Sequence, residues 1–159
     1  MMDLISFPDN AKIWIYPSDN RFEDDLLEDI QLRIQTFTAQ WVSHQKSLRA
    51  TGGILHNYFV VLVVDESEVS ASGCSIDESV SFIKNLETIY HTDFFNRLNF
   101  YYIDQEEIKL VAAMQMSEWY QNGKINDSTL FFNTLVQDKR QFIENWLVPL
   151  KDSWQKRFI

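Results

Sequence analysis

The sequence predicts an α+β domain, and three observations predict it. Short β-rich segments occur at Lys12–Tyr16, Leu48–Leu55, Tyr58–Val64 and Leu98–Ile103. Two longer stretches between them repeat their apolar residues with helical period. The 159 residues are 45% apolar, with 5 Trp, 6 Tyr and 12 Phe but only 4 Gly and 3 Pro, which is core-forming material with few linkers.

Taken in order, Lys12 to Tyr16 alternates and ends at Pro17, a first strand. Ser18-Asp19-Asn20 offers helix caps, and Glu23, Asp24, Asp25, Glu28 and Asp29 crowd the following turns, where negative charge complements the helix dipole. Leu26, Leu27, Ile30, Ile34, Phe37 and Trp41 make a long amphipathic helix running to about His44. Leu48 to Leu55, around Gly52-Gly53, is a second strand, and His56-Asn57 is a turn. Tyr58 to Val64 is apolar throughout, as a strand buried on both faces must be. Ser75 with Glu78 reads as a capping box, with Ile76, Val80, Ile83, Leu86 and Tyr90 as the buried face of a second helix. Leu98 to Ile103 is the fourth strand. The order β-α-β-β-α-β is the ferredoxin-like split βαβ pattern, with right-handed crossovers setting the topology. Residues 1–104 form that core. Residues 105–159 form a C-terminal α+β extension packed on the same domain: a strand at Ile108–Met114, a short helix at Ser117–Gln121, a strand at Thr129–Leu135, a helix at Asp138–Leu147 and a final amphipathic turn through Leu150, Trp154 and Phe158. Trp146 and Trp154 flank a tail that either clasps the core or docks a partner.

A net charge of −9 makes nucleic acid and anionic membrane surfaces poor partners, because phosphate binding needs clustered Lys and Arg. The longest apolar run, Tyr58 to Val64, is far short of the ~20 residues of a membrane helix. Met1 to Pro8 lacks a basic region and a long apolar segment, so it does not read as a secretory signal. A single cysteine suits a reducing compartment, and the expected location is the cytoplasm. The edge strands of such a core could pair two copies into a homodimer.

The topology brings chemistry to one edge of the sheet. The end of the first helix, the end of the third strand and the start of the second helix meet there, gathering Trp41, His44, Asp65, Glu66, Ser72, Cys74, Ser75 and Asp77. Cys74 would lie just before the helix N-cap, where free N–H groups and the helix dipole stabilise a thiolate. His44 could accept its proton and Asp65 or Glu66 could orient the imidazole, a candidate Cys-His-acid set. Each residue also has a plainer role. A lone cysteine is often a small buried hydrophobe, nearby carboxylates oppose a thiolate, and His44 would complement a helix C-terminus. Asp65 and Glu66 would point to opposite faces while still in a strand, a poor acid–base pair. Three His and one Cys without CxxC or HExxH spacing give no metal site; magnesium at Asp65 and Asp77 is the one arrangement left open. No cofactor is implied.

Lys12-Ile13-Trp14-Ile15-Tyr16, Trp41-Val42-Ser43-His44, Val64-Asp65-Glu66-Ser67, Ser72-Gly73-Cys74-Ser75-Ile76-Asp77 and Val148-Pro149-Leu150-Lys151-Asp152-Ser153-Trp154 together resemble a small family of uncharacterised bacterial proteins whose members are often labelled "ABC transporter ATPase". The resemblance spans nearly the whole chain and carries no catalytic role. The label fails on the residues: a P-loop requires GxxxxGK[ST]. Only Gly123 precedes a lysine, with Ile125 where Ser or Thr is needed and Glu118 where the first glycine belongs.

The resulting expectation is a non-enzymatic cytoplasmic interaction or regulatory domain with a protein or small-molecule partner. The alternative is a thiol-dependent enzyme or redox sensor using Cys74 with His44. A magnesium-dependent carboxylate site at Asp65 and Asp77 ranks third.

Overall fold

The computed structural model describes residues 2–159. In chain order its elements are β1 (Lys12–Pro17), α1 (Leu27–Gln40), β2 (Val42–Ser43), β3 (Lys46–Ser47), β4 (Arg49–Leu55), β5 (Phe59–Asp65), α2 (Gly73–Tyr90), β6 (Asn99–Asp104), β7 (Glu107–Ala112), α3 (Met116–Gln121), β8 (Leu130–Phe132), α4 (Lys139–Asn145) and β9 (Leu147–Pro149), with 3-10 turns at Asp24–Leu26, Ala113–Gln115, Leu150–Asp152 and Trp154–Phe158. This is an α+β architecture of two larger antiparallel sheets stacked between helical layers, with a small two-stranded sheet, β2-β3, beside them. The first sheet has the order β1-β5-β4. Every residue of β5 is buried, because both of its faces are covered. Val60, Leu62 and Val64 pack with Ile30 and Ile34 of α1 and with Ile83 and Leu86 of α2. Phe59, Val61 and Val63 pack with Tyr101 of β6 and Phe132 of β8. Each such side chain contributes roughly 1.5–3 kcal/mol of burial, so β5 is the energetic centre of the fold.

The second sheet has the order β7-β6-β8-β9. Its far face, Phe100, Tyr102 and Phe131, is closed by Met116, Ile125 and Leu150. Trp154 meets Phe100 edge-on and Phe158 meets it at a tilt, with ring centroids 5.1 and 5.0 Å away, so the C-terminal tail is a clasp on this sheet. The strand order does not confirm the ferredoxin-like arrangement. Strands one, three and two of that pattern are adjacent, as it requires. The fourth, β6, pairs with β7 and β8 instead of β1. Phe100, Tyr101 and Tyr102 are apolar on both faces, and a strand of that kind needs cover on both sides, which the interior of a second sheet supplies.

The two edges of the first sheet are treated differently. At the β4 edge, Gln31 of α1 donates from Nε2 to the Gly52 carbonyl at 3.2 Å and accepts from the Ile54 N–H at 3.1 Å, so one side-chain amide replaces a neighbouring strand. At the β1 edge the segment leading into α4 takes over: the Ile13 N–H donates to the Gln137 carbonyl and the Lys139 N–H to the Ala11 carbonyl. That cover stops at Ile13.

Several element ends differ from the sequence reading. α1 begins at Leu27, after the irregular segment Ser18–Phe22 is tied to the next hairpin by Ser18 N–H to Tyr58 O and Phe22 N–H to Asn57 O. It ends at Gln40, not His44. Trp41 turns to extended backbone, and His44 and Gln45, at φ 50° and 68°, form the tight turn of the β2–β3 hairpin. Matching turns occur at His56-Asn57 and Gln105-Glu106. α2 is capped by Ser72 paired with Ser75, so the box lies three residues earlier than the Ser75–Glu78 pair expected. Its buried face holds Ser75, Ser79, Ile83 and Leu86, and Ile76 is left 36% exposed. The small serines make room for Trp41 beneath the first turn. The strand expected over Thr129–Leu135 is only β8, and the helix expected to reach Leu147 ends at Asn145, with Leu147–Pro149 forming β9 against β8.

Candidate functional site

Around the ends of α1 and β5 and the start of α2, the polar side chains are engaged in bonds that hold the fold together. Trp41 is 1% exposed and its indole Nε1 donates to the Ser75 carbonyl at 2.8 Å, locking the end of α1 to the start of α2. Ser72 Oγ accepts from the Ser75 N–H and Ser75 Oγ accepts from the Ser72 N–H, the reciprocal cap of α2. Asp65 ends β5 opposite Arg49, the first residue of β4. Its Oδ2 accepts from Arg49 at 2.6 Å, while Oδ1 accepts from the Ser67 N–H at 3.0 Å and Ser67 Oγ at 2.5 Å. The two Ser67 hydrogen bonds are the main reason its pKa falls below the ordinary carboxylate value; Arg49 adds to the effect and burial opposes it. Arg49 is itself fixed, donating to the Ser6 carbonyl and hydroxyl and lying 4.3 Å over the Phe7 ring. Glu66 accepts from the Ala71 N–H at 2.8 Å and faces Lys12 at 3.5 Å, holding the loop that leads to α2.

The candidate Cys-His-acid set is not joined. Cys74 is free and exposed at the second position of α2, inside the first turn and not ahead of the cap. His44 sits on the β2–β3 turn and lines a cleft of about 300 Å³ with Lys46, Glu68 and Ser72. Asp65 lines a neighbouring cleft of about 280 Å³ with Arg49 and Ser67. Cys74 lines neither of the two, and no hydrogen bond links Cys74, His44 and Asp65 among the described residues. The role of His44 at a helix C-terminus is also replaced, since α1 ends four residues before it. Asp77 is exposed on the first turns of α2. Among the described residues no three His, Cys, Asp or Glu side chains converge as metal ligands, and both oxygens of Asp65 are already engaged.

A second region stands out by geometry. Along the outer edge of β1 runs a cleft of about 420 Å³, walled by Ile76, Arg97, Leu135 and Val136. Ser18 N–H bonds to Tyr58 O, and Ile13 N–H bonds away from β5 to Gln137 O. Strand alternation then directs the odd-numbered backbone groups of β1 outward. The Ile13 carbonyl and the N–H and carbonyl of Ile15 therefore face this cleft, beyond the reach of the Gln137–Lys139 segment. Trp14 is half-buried, and Ile76 and Leu135 are 36% and 50% exposed. Arg97 lies near the Tyr16 phenol, whose pKa is raised by burial and lowered by Ser79 and the Arg97 charge. Among the described residues Arg97 has no carboxylate partner.

Sequence reasoning missed Arg49, Arg97, Leu135 and the open backbone of β1. Arg49 was within reach: pairing outward from the His56-Asn57 turn sets it opposite Asp65. Arg97 and Leu135 carried no signal, because they meet β1 only once the second sheet is stacked on the first. Neither a protein-family model, nor a curated protein, nor a solved structure shows significant similarity to the chain.

Proposed function

We propose that the chain is a non-enzymatic interaction or regulatory domain of the cytoplasm whose working surface is the cleft beside β1. The observation that carries this reading is the open backbone edge at Ile15 set in a cleft with apolar walls. A sheet edge offers main-chain hydrogen bonds to an added strand, and flanking pockets sort its side chains. The polar edge around Asp65, Ser72 and Ser75 supports the same reading, because its groups hold the fold together and leave no free acid–base pair.

The test is selection of random heptapeptides against the intact protein, followed by amide chemical-shift mapping of the selected binders. Shifts centred on Ile13, Ile15 and Gln137 support the reading. Selection that yields no specific binder refutes it.

A second reading, a redox-responsive thiol, is favoured by one observation: Cys74 is exposed in the first turn of the 18-residue α2. It stands without His44 or Asp65 as partners. Reversible oxidation of Cys74 that changes binding at the cleft would support it, and oxidation without consequence would remove it.

A further inference from the structure

Resting on the interaction reading, we infer that the occupant of the β1 cleft is an extended peptide segment of a partner protein that carries an acidic side chain, read by Arg97. Three features of the cleft lead there. The first is backbone chemistry. The Ile13 carbonyl and the Ile15 N–H and carbonyl form the recognition row of a strand, and only another extended main chain matches all three at once.

The second is length. The open edge runs from Ile13, where the Gln137–Lys139 cover ends, to Pro17, which has no N–H to offer. At roughly 3.3 Å per residue this accommodates a segment of about four or five residues and no more. A short linear motif fits this length. The cover on one side and the proline on the other keep the edge from acting as a general template for aggregation.

The third is charge. The chain carries −9 overall, yet Lys12 and Arg97 are the charged residues lining this cleft. Lys12 is shared with Glu66 at 3.5 Å. Arg97 is exposed and has no carboxylate partner among the described residues, which leaves its planar fork available to a carboxylate on the incoming strand. Leu135 and Ile76 then meet the apolar residues that flank that carboxylate.

The heptapeptides selected on the intact protein provide the test, with binding read by fluorescence anisotropy. The selected set is expected to be enriched in Asp and Glu. Replacing those residues by Asn and Gln, or substituting Arg97→Glu in the protein, is expected to weaken binding by roughly tenfold and to flatten its salt dependence. N-methylation of alternate peptide amides is expected to abolish it, since a missing N–H leaves a protein carbonyl unpaired. Arg97 is exposed, so the variant is expected to keep its fold, and unchanged amide shifts away from the cleft check this. Binders that shift Ile13 and Ile15 but carry no acidic residue, or that tolerate Arg97→Glu, overturn this inference and leave the interaction reading standing. Binders that tolerate N-methylation overturn the strand mode. A failure of any peptide to bind, or concentration-dependent dimerisation that occupies the β1 edge, overturns it as well; only the failure to bind removes the interaction reading.

Discussion

Replacing Asp65 by Asn separates a structural carboxylate from a catalytic one. In the native protein the Asp65 side chain is 10% exposed and accepts three hydrogen bonds, one of them from the Arg49 guanidinium at 2.6 Å. Asn keeps an oxygen for Ser67 but sets its amide N–H₂ against the Arg49 guanidinium, donor against donor. A hydrogen bond to a charged group is worth about 1.5–3 kcal/mol. The Arg49 side chain is 48% exposed and retains Ser6 and Phe7, so the low end of that range applies. Asp65→Asn is therefore expected to cost about 1.5–2 kcal/mol at pH 7, or about 3–8 °C in Tm for a chain of this size. The pH dependence gives an independent reading. The folded-state pKa of Asp65 lies below its unfolded value, so the unfolded chain binds the proton first. Its contribution is whole above the unfolded pKa of about 4 and is lost as pH falls through the folded value. Urea unfolding followed by tryptophan fluorescence, at pH 7 and at steps down to pH 3, measures both effects. The gap between native and variant should narrow over that range. A variant within 0.5 kcal/mol of native at pH 7, or a gap that does not close in acid, refutes the reasoning.

Other outcomes follow from the same contacts. Gly52→Ala would place a Cβ 2.7 Å from the Val61 carbonyl oxygen and 2.8 Å from Ile34 Cγ2, and should cost about 1–3 kcal/mol in urea unfolding. Gly53→Ala meets the movable end of Gln31 at 2.9 Å and should cost less; the reverse order would mean that α1 does not pack on β4 as described. Trp41→Phe removes the buried bond to the Ser75 carbonyl along with part of the ring, and should destabilise by about 2–4 kcal/mol by the same assay. Iodoacetamide should alkylate Cys74 in the native state, at a rate unchanged by His44→Ala; a changed rate would return His44 to the thiol.

The elements that sequence periodicity and caps reveal were legible because they are local. The seven apolar residues ending at Val64, the apolar repeat of Ile30 and Ile34, and the helix ending at Tyr90 each carry their own signal. The meeting of Trp41 with Ser75 also followed, since it needs only the end of α1 to lie beside the start of α2. The placement of β6 did not. Phe100, Tyr101 and Tyr102 announce a strand buried on both faces, but its neighbour was decided by Phe131 in a strand of three residues. The end of α1 was misread because Trp41 extends the apolar period although its backbone has already left the helix. Ser72 was passed over as a cap because Ser75 with Glu78 offers the stronger pattern. The cleft beside β1 was invisible for the same reason as β6: its walls come from residues 97 and 134–137, brought there by the stacking of two sheets.

The β2–β3 and β6–β7 turns place His44-Gln45 and Gln105-Glu106 at positive φ, a region where side-chain-bearing residues cost about 1–2 kcal/mol each. Both turns are exposed and join short hairpins. Asn-Gly is the pair that such turns favour. This protein thus carries unspent thermal tolerance at two solvent-facing corners, neither of which lines the β1 cleft. Natural variation or engineering could draw on each one separately, raising heat resistance without touching the recognition surface. The third such turn is different in kind: His56 packs on Phe132 at 5.5 Å, so that corner has traded its ease of folding for a place in the core.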